Sequence, residues 1–476
     1  MINTPATYKY DTNRLMVIDW SSIAHQNIHS IEASYKNGDD YGVQTKEDEL
    51  RLWRNKMVTS MNDLIQRFNP LDIIIAVDGK SWRNDFVKDY YGKHTIVYHD
   101  DTYIYTETEN YAYRIGKPDK KKEEYTVERI AVKDYPTFRG KDHVLLNELS
   151  QAKQDLLWGL YDVSTKSKNE NKTPIIPSYK GKRKFSEWTA KTPKDEWQKY
   201  KDKFAFELAK YYRALPIQLD GAEGDDVIYS SIKALQDRYS SIVVVTRDSD
   251  MMQIDCSKAV FYDHLSAKFL SCESPSDYLI QKIVSGDSSD NIHGMNVPNP
   301  KTPGLPKATC IGKDGAPKFV KACGDVYETA KREGWVDQYI RNKTLIDLSC
   351  TPDNIKNAIT EACGNVCNGE YAPAESLEHI GITKAQLDLI KNMRQRGFYA
   401  FHPRNEIDWC NTTFSAEKNS QAAKIERIKE DMESPISAVP VSSLMGASQG
   451  QPMPEPAQDF NVGRVFDSPF GDDPPF

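Results

Sequence analysis

The stretch SIVVVTRDSD, residues 241–250, joins a run of β-branched apolar residues directly to two aspartates. An apolar run without polar alternation is typical of a strand that is buried on both faces of a parallel sheet. Four such runs occur, each leading into or ending on an acidic residue, at 15–19, 71–78, 241–246 and 259–263. Segments with helical periodicity lie between the strands, at 48–68, 204–215 and 225–239. The alternation predicts an α/β fold with a mostly parallel central sheet and helices on both faces.

Other parts of the chain depart from this alternation. Residues 93–165 are rich in Tyr and Thr and predict an inserted β-rich subdomain. The last 43 residues hold 8 of the 25 prolines and predict a disordered acidic tail. The predicted organisation is an N-terminal part of the core over 1–92, the insertion over 93–165, a basic helical segment with the rest of the core over 166–275, a mainly helical region over 276–433, and the tail over 434–476.

Composition excludes several classes of protein. The 476 residues include no apolar stretch near the roughly 20 residues that a membrane-spanning helix needs. The N-terminal sequence lacks the apolar core of a signal peptide, and the eight irregularly spaced cysteines suit a reducing compartment. We therefore expect a cytoplasmic protein that does not bind membranes.

The net charge of −7 does not exclude a nucleic-acid ligand, because the charges are unevenly distributed. Residues 180–213 hold 11 Lys and Arg against 5 Asp and Glu, whereas the tail has five acids against one arginine. The basic segment is also interleaved with aromatic residues, namely Tyr179, Phe185, Trp188, Trp197 and Tyr200. This combination predicts a channel that guides a single strand by charge and stacking.

Carboxylates follow the predicted strands and fill the tight turns. The set comprises Asp19, Asp78, Glu223, Asp225, Asp226, Asp248, Asp250, Asp287 and Asp290. A single aspartate after a strand is usually a turn or helix cap, but independent caps have no reason to form this ordered set. Converging carboxylates repel one another unless cations neutralise them, and hard oxygen ligands favour Mg²⁺ or Mn²⁺ over zinc. Two such ions about 4 Å apart suit phosphodiester hydrolysis.

In their order along the chain, these motifs resemble the 5′-nuclease or flap endonuclease family. The resemblance is greatest to phage 5′→3′ exonucleases, including the ribonuclease H members of T-even phages. The matching strings are MVIDW, AVDGKSWRNDF, SYKGKRK, GAEGDDVIYS, TRDSDMMQ and GDSSDNIHGM, together with the later RNKTLIDLSCTPDNIKNAI. The resemblance covers about 15–92 and 177–360. It implies a PIN-like nuclease core, a helical arch, and a helical C-terminal subdomain with a helix–three-turn–helix element.

The resemblance also implies a role for each matching position. Two Mg²⁺ ions, replaceable by Mn²⁺, would be held by two groups of carboxylates. The first group is Asp19, Asp78, Glu223 and Asp225, with Asp226 in support; the second is Asp248, Asp250 and Asp287, with Asp290 in an outer shell. Tyr179, Lys180 and Arg183 match the base of the arch, where a cation contacts the scissile phosphate and an aromatic residue stacks on the terminal base. Lys182 and Lys184 are further candidates for DNA contact there. Arg83 is another candidate phosphate contact, and an ordinary surface arginine is the alternative reading.

The helix–three-turn–helix of the family grips the duplex backbone through amides and a monovalent cation, which implies K⁺ here. This sequence departs from the usual short Gly-rich turn with GMNVPNPKTPGLPKATCIGKDGAPKFV. We take residues 311–312 as the equivalent turn and expect Lys313 and Lys318 near phosphate. Elsewhere, Cys310, Cys323, Cys363 and Cys367 lack the CxxC spacing of zinc sites, which argues against zinc.

The function that the resemblance implies is a metal-dependent, structure-specific 5′-nuclease that removes RNA primers and DNA flaps during phage DNA replication. Its substrates would be 5′ flaps, nicks and RNA–DNA hybrids. The alternatives are a PIN-type ribonuclease acting on RNA and a catalytically inactive junction-binding replication factor. The tail residues Phe470, Asp472, Asp473 and Phe476 resemble the acidic tip of bacterial single-stranded-DNA-binding proteins. They predict contact with replication proteins, such as a single-stranded-DNA-binding protein or a sliding clamp. The alternatives are an intramolecular DNA mimic that covers the basic arch and a solubilising terminus.

Overall fold

The computed structural model describes residues 13–39, 41–109, 111–116, 125–131, 134–164, 171–181, 188–295, 310–369 and 383–395. The strands are β1 Arg14–Asp19, β2 Asp72–Ala76, β3 Ile96–His99, β4 Ile104–Glu107, β5 Ala112–Ile115, β6 Val127–Ile130, β7 His143–Leu145, β8 Tyr161–Ser164, β9 Asn171–Pro174, β10 Ala214–Ile217, β11 Ser241–Val245, β12 Ala259–Asp263, β13 Lys268–Leu270, β14 Gly286–Asp287 and β15 Ile292–His293. The helices are α1 Trp20–Lys36, α2 Lys46–Phe68, α3 Arg83–His94, α4 Pro136–Arg139, α5 Gln151–Trp158, α6 Lys194–Ala209, α7 Gly224–Leu235, α8 Pro275–Ser285, α9 Ala316–Cys323, α10 Val326–Glu333, α11 Val336–Ile346, α12 Asp353–Asn368 and α13 Lys384–Gln395.

The central sheet has six strands in the order β10-β2-β1-β11-β12-β13. The first five run parallel, and β13 closes one edge antiparallel to β12. The predicted fold class, with its mostly parallel sheet, is confirmed, and the four predicted strands correspond to β1, β2, β11 and β12. Strands β2 and β11 are buried along their whole length, which explains why their sequences lack polar alternation.

The edge strand β10 was not predicted. The helical pattern suggested a helix through residue 215, whereas α6 ends at Ala209 and Ala214–Ile217 pairs with β2. Pro216 lies within this strand, and a residue without an N–H is tolerated there because an edge strand has one side unpaired. Tertiary pairing with β2 thus overrides the local pattern.

Helices cover both faces of the sheet. On one face, α7 and α12 pack against alternate strand residues such as Val17 and Ile74. On the other face, α1, α2 and α6 contribute the fully buried indoles of Trp20, Trp53 and Trp197. The indole of Trp20 donates to the carbonyl of Lys201 at 2.9 Å, which ties α1 to α6.

The stretch 93–165 contains a five-stranded antiparallel sheet in the order β6-β5-β4-β3-β7. Its apolar side shares a core with α3 and with Ile175, Ile292 and Leu345. The buried guanidinium of Arg341 on α11 pairs with Glu109 in this insertion and donates to the carbonyl of His293 at 3.1 Å. The insertion is therefore packed onto the rest of the fold through both apolar and ionic contacts.

The described part of 276–433 is mainly helical, from α8 to α13. Helix α12 packs on α7, and α13 packs on α2. Residues 434–476, which include the four candidate tail residues, lie outside the described residues. Across the described ranges, no helix combines the length and the apolar composition needed to cross a membrane.

Two buried glutamates fix the segment that leads into α6. Glu32 accepts the backbone N–H groups of Thr189 at 2.7 Å and Ala190 at 3.2 Å. Glu49, which is fully buried, accepts those of Lys191 at 2.7 Å and Thr192 at 2.9 Å. Four consecutive amides are thus satisfied by carboxylates from α1 and α2, which we call the glutamate clamp.

Replacing Glu49 with alanine should destabilise the protein by about 2–4 kcal/mol, because two backbone amides, that of Thr192 buried and that of Lys191 partly buried, lose their acceptor. Urea unfolding followed by circular dichroism measures this loss. Glu47→Ala is the matched control, since Glu47 is exposed in the first turn of the same helix. The control should cost less than about 1 kcal/mol. Equal losses in the two variants would contradict the clamp.

Candidate metal centre

Three carboxylates lie at the same edge of the sheet because three neighbouring strands end at the same level. Asp19 pairs in register with Ala76, and Ile18 pairs with Val245. Asp78 therefore follows β2, and Asp248 follows β11, on either side of Asp19. The chain passes from β1 to one neighbour and returns later to the other, and such a switch point is where open α/β sheets bind ligands.

Asp19 and Asp78 are held by hydrogen bonds from the backbone and side chains around them. Asp19 caps α1 by accepting the N–H of Ser22 at 3.0 Å, and its second oxygen accepts the hydroxyl of Thr246 at 2.9 Å. Asp78 accepts the N–H of Gly224 at 2.8 Å and the hydroxyl of Ser21. A Cβ on Gly224 would lie 3.1 Å from the Asp78 oxygen, so glycine permits this close approach.

Glu223 and Asp290 meet at one hydroxyl. Tyr179 donates to Glu223 at 2.8 Å and lies 3.0 Å from an oxygen of Asp290. The ammonium of Lys180 pairs with Glu223, and the backbone N–H of Lys180 donates to the carbonyl of Asp290 at 2.8 Å. Lys180 has a φ of +59°, a left-handed conformation that non-glycine residues adopt only when the surroundings impose it. Tyr179 is 9% exposed, so its contacts favour positioning these two carboxylates over the predicted stacking on a base.

Asp250 and Asp287 share the ammonium of Lys282. Lys282 pairs with Asp250 and lies 2.9 Å from the second oxygen of Asp287. The first oxygen of Asp287 accepts the N–H of Ser289 at 2.8 Å and its hydroxyl. These two carboxylates come from the turn after β11 and from β14, and the lysine holds them together.

Asp226 and Arg83 form a buried ion pair beneath the centre. Two nitrogens of the Arg83 guanidinium donate to the two oxygens of Asp226, each at 2.9 Å. Thr351 donates to Asp226 at 2.6 Å, and the N–H of Glu223 donates at 2.9 Å. Asp226 is fully buried with both oxygens engaged, which fits a supporting role and not direct metal binding.

The position of Arg83 differs from the predicted phosphate contact. Its guanidinium is 2% exposed and is bonded to Asp226, Glu223 and the carbonyl of Leu345. A substrate phosphate cannot reach a side chain enclosed in this way. Arg83 therefore stabilises the base of the centre.

Crowding of like charges perturbs the central carboxylates. Burial raises the pKa of Asp19 to about 7, with Asp78 and Asp248 adding to the shift. Burial also raises the pKa of Asp225, together with repulsion from Asp248 and Asp19. Burial would raise the pKa of Asp78 too, but Lys201, Ser21 and Gly224 hold it below its ordinary value. The centre thus carries more negative charge than the cations around it neutralise.

The donor set suits Mg²⁺ or Mn²⁺, because its members are all hard carboxylate oxygens. Among the residues that the structure describes, however, no three His, Cys, Asp or Glu side chains are grouped to hold an ion as they stand. Glu223 is turned to Lys180, and Asp250 and Asp287 are turned to Lys282. To hold an ion jointly, these side chains would have to leave their ammonium partners. The same finding extends to the four candidate zinc cysteines, which are not brought together.

Sequence reasoning missed four residues at the centre, namely Lys201, Ser21, Asp202 and Lys282. Lys201 on α6 is 2% exposed and donates to Ser21 at 3.1 Å and to Asp202 at 2.5 Å. Repulsion from Asp78, after burial, raises the pKa of Asp202. Lys282 is the fourth, and its position one helical turn before the Gly-Asp of SGDSSDNI was the only signal. Nothing in the pattern of α6 distinguishes Lys201 from the solvated lysines around it.

The remaining candidates are the predicted DNA contacts and the predicted stacking residues. Lys182, Arg183 and Lys184 lie outside the described residues. Lys313 and Lys318 are exposed around the start of α9, where Ile311 donates to the carbonyl of Met295 at 3.0 Å. Of the aromatic residues predicted to stack on a strand, Trp197 is fully buried against Trp53, with ring centroids 5.9 Å apart. It belongs to the core because α6 packs on α1 and α2.

The raised pKa of Asp19 predicts a pH dependence of metal-free stability. Between about pH 4 and 7 the native state binds more protons at Asp19 than the unfolded state does, so stability falls as pH rises. Asn cannot ionise. In EDTA, the stability of Asp19→Asn relative to wild type should therefore increase by roughly 2–3 kcal/mol from pH 5 to pH 8.

Urea unfolding at the two pH values measures this difference. Asp263→Asn is the control: Asp263 also ends a strand, but burial is outweighed by hydrogen bonds from Ser266 and Leu265, which keep its pKa low. Its difference from wild type should not change over this range. If the difference in unfolding free energy between Asp19→Asn and wild type did not change with pH, the raised pKa of Asp19 would be refuted.

Replacing Arg83 with methionine should destabilise the protein by about 3–5 kcal/mol, because Asp226 and Glu223 would be left as buried charges without a partner. Chemical denaturation measures the loss. Arg247→Met removes an arginine that is half exposed and lies 3.6 Å from Asp263. The control should cost less than about 1 kcal/mol, and a comparably small loss for Arg83→Met would contradict the ion pair's supporting role.

No protein-family model and no curated protein sequence matches this chain. The fold is similar to solved structures of bacteriophage T5 5′-nucleases. One is the T5 5′-exonuclease with zinc bound, at 13% identity and a TM-score of 0.40, covering 74% of this chain and 99% of that one. Another is a T5 flap endonuclease complex with DNA and metal ions, at 13% identity and a TM-score of 0.39, covering 75% and 99%.

Proposed function

We propose that this protein is a divalent-metal-dependent, structure-specific 5′-nuclease. The observation that carries the proposal is the convergence of Asp19, Asp78, Asp225 and Asp248 at the switch point of the sheet, with Lys180 beside them. Raised pKa values at Asp19 and Asp225 indicate a charge excess that suits bound cations. Such a site fits hydrolysis of a phosphodiester, whose own charge must also be neutralised.

Two Mg²⁺ ions, replaceable by Mn²⁺, would supply an activated water and stabilise the leaving oxygen. Asp19, Asp78, Glu223 and Asp225 would hold the first ion. Asp248, Asp250 and Asp287 would hold the second, and Asp226 and Asp290 would orient these ligands through the contacts described above.

Lys180 would act on the phosphate itself. Its ammonium pairs with Glu223, and its backbone is fixed by the carbonyl of Asp290. With Glu223 engaged as a metal ligand, the Lys180 ammonium would stabilise charge developing on the phosphate oxygens. Arg183, in the same SYKGKRK motif, would contribute a second positive charge.

DNA would be held largely through its backbone, so specificity would follow strand ends and junction shape and not base sequence. Lys182 and Lys184 would contact the single strand. Lys313 and Lys318, with K⁺, would contact the duplex. We extend the proposal to removal of RNA primers and DNA flaps during phage DNA replication, with replication proteins engaged by Phe470, Asp472, Asp473 and Phe476.

A 5′-labelled flap substrate tests this proposal. Wild-type protein should cleave it with Mg²⁺, leaving a 5′-phosphate, and should not cleave it in EDTA. Asp225→Asn and Asp248→Asn should lose at least about a hundredfold in rate, because each removes a charged metal ligand. Asp263→Asn, a strand-end aspartate bonded within its own turn, should retain the wild-type rate.

Parallel substrates separate the alternatives. Cleavage of RNA alone, with DNA flaps untouched, would favour a PIN-type ribonuclease. Tight binding of the flap without metal-dependent cleavage would favour an inactive junction-binding factor. Nicked duplexes and RNA–DNA hybrids in the same assay define which ends are accepted.

A further inference from the structure

We propose that Lys282 is an internal cation that neutralises the Asp250 and Asp287 carboxylates in the metal-free protein and is displaced when a divalent ion binds there. This inference rests on the metal-dependent function proposed above. It assigns to a lysine of α8 a direct influence on metal affinity.

Lys282 joins carboxylates from separate parts of the chain. Its ammonium pairs with Asp250, which follows β11, and with Asp287, which follows α8. The three side chains are 11%, 21% and 12% exposed, respectively, so the ammonium is largely enclosed by the two carboxylates and the protein around them. At this depth, two carboxylates without a cation would repel each other strongly.

The lysine occupies the one side of Asp287 that is open to a ligand. The first oxygen of Asp287 is engaged by the N–H and hydroxyl of Ser289 and by the N–H of Asp290 at 3.4 Å. Among the contacts of the described residues, the second oxygen is the one left for a metal, and Lys282 lies 2.9 Å from it. An ion that bound Asp250 and Asp287 together would therefore compete with the ammonium for the same oxygen atoms.

Displacement requires only the side chain to move. The backbone of α8 is fixed by the buried residues Ile283 and Val284, and Asn342 donates to the carbonyl of Ile283 at 2.7 Å. The lysine stem is long and unbranched, so the ammonium can swing towards solvent without a shift of the helix.

The competition has a thermodynamic consequence in two directions. Any free energy that Lys282 contributes to the metal-free protein must be given up when the ion binds. Removing the ammonium should therefore weaken the metal-free fold and strengthen metal binding. A lysine that served only as a packing residue would produce the first effect without the second.

Calorimetric titration of Mn²⁺ into full-length protein, without nucleic acid, tests the inference. Lys282→Met should bind Mn²⁺ on the order of tenfold more tightly than wild type, and its melting temperature in EDTA should fall. Lys343→Met is the matched control, because Lys343 also pairs with an aspartate, Asp347, at 2.9 Å, but outside the centre. Its Mn²⁺ affinity should remain within about twofold of wild type.

Lys282→Gln gives a second neutral variant, which keeps hydrogen-bonding capacity and safeguards the test if Lys282→Met does not fold. Unchanged or weaker Mn²⁺ binding by the folded neutral variants would overturn the inference, whereas Lys282→Arg should behave as wild type. If wild type binds Mn²⁺ and cleaves flaps but the neutral variants bind no more tightly, the lysine inference alone fails. If wild type neither binds Mn²⁺ nor cleaves flaps, the proposed function fails.

Discussion

Repulsion among carboxylates at one edge of the sheet is the constraint on which the rest of the structure depends. Three parallel strands end at the same level and deliver aspartates to one place, and α7 adds more at its first turn. Positively charged side chains surround the centre, namely Lys180, Lys201, Lys282 and Arg83. Backbone N–H groups also donate to its carboxylates. These partners neutralise part of the charge, and burial together with repulsion from neighbouring carboxylates still raises the pKa of Asp19 and of Asp225.

The four cations differ in how firmly they are held. Arg83 is enclosed, makes paired bonds with Asp226 and reaches the carbonyl of Leu345, so it also joins the core to the end of α11. The ammonium groups of Lys180 and Lys282 are carried on long, flexible side chains, and both pair with carboxylates of the centre. An arginine suits the permanent contact, because its planar fork matches a carboxylate, and a lysine suits the replaceable one. The charge of Asp226 is thus neutralised by a fixed arginine, and the charges of Glu223, Asp250 and Asp287 by lysines that can move.

Much of the fold could be predicted because a strand that is buried on both faces of a sheet has a continuous apolar sequence. Strands β1, β2, β11 and β12 are continuous apolar runs, and the acidic residues that follow them mark the edge where ligands bind. The edge strand β10 could not be recognised in this way, because it is short, contains Pro216 and continues a helical pattern. The cations were harder to predict for a different reason. A lysine in a helix, such as Lys201 or Lys282, has the same local pattern whether it points to solvent or to a carboxylate, and the burial of Arg83 depends on Asp226, 143 residues away.

The register of β1 has a consequence for the order of folding during synthesis. One side of β1 pairs with β2, which follows within the first 76 residues, but the other side pairs with β11, which ends at Val245. At a synthesis rate of about 5–20 residues per second, that second side waits roughly ten to fifty seconds for its partner. Meanwhile the insertion sheet, whose strands pair with near neighbours in the chain, can form first. Asp19, at the end of β1, and Asp248, after β11, can therefore come together only once β11 has been synthesised.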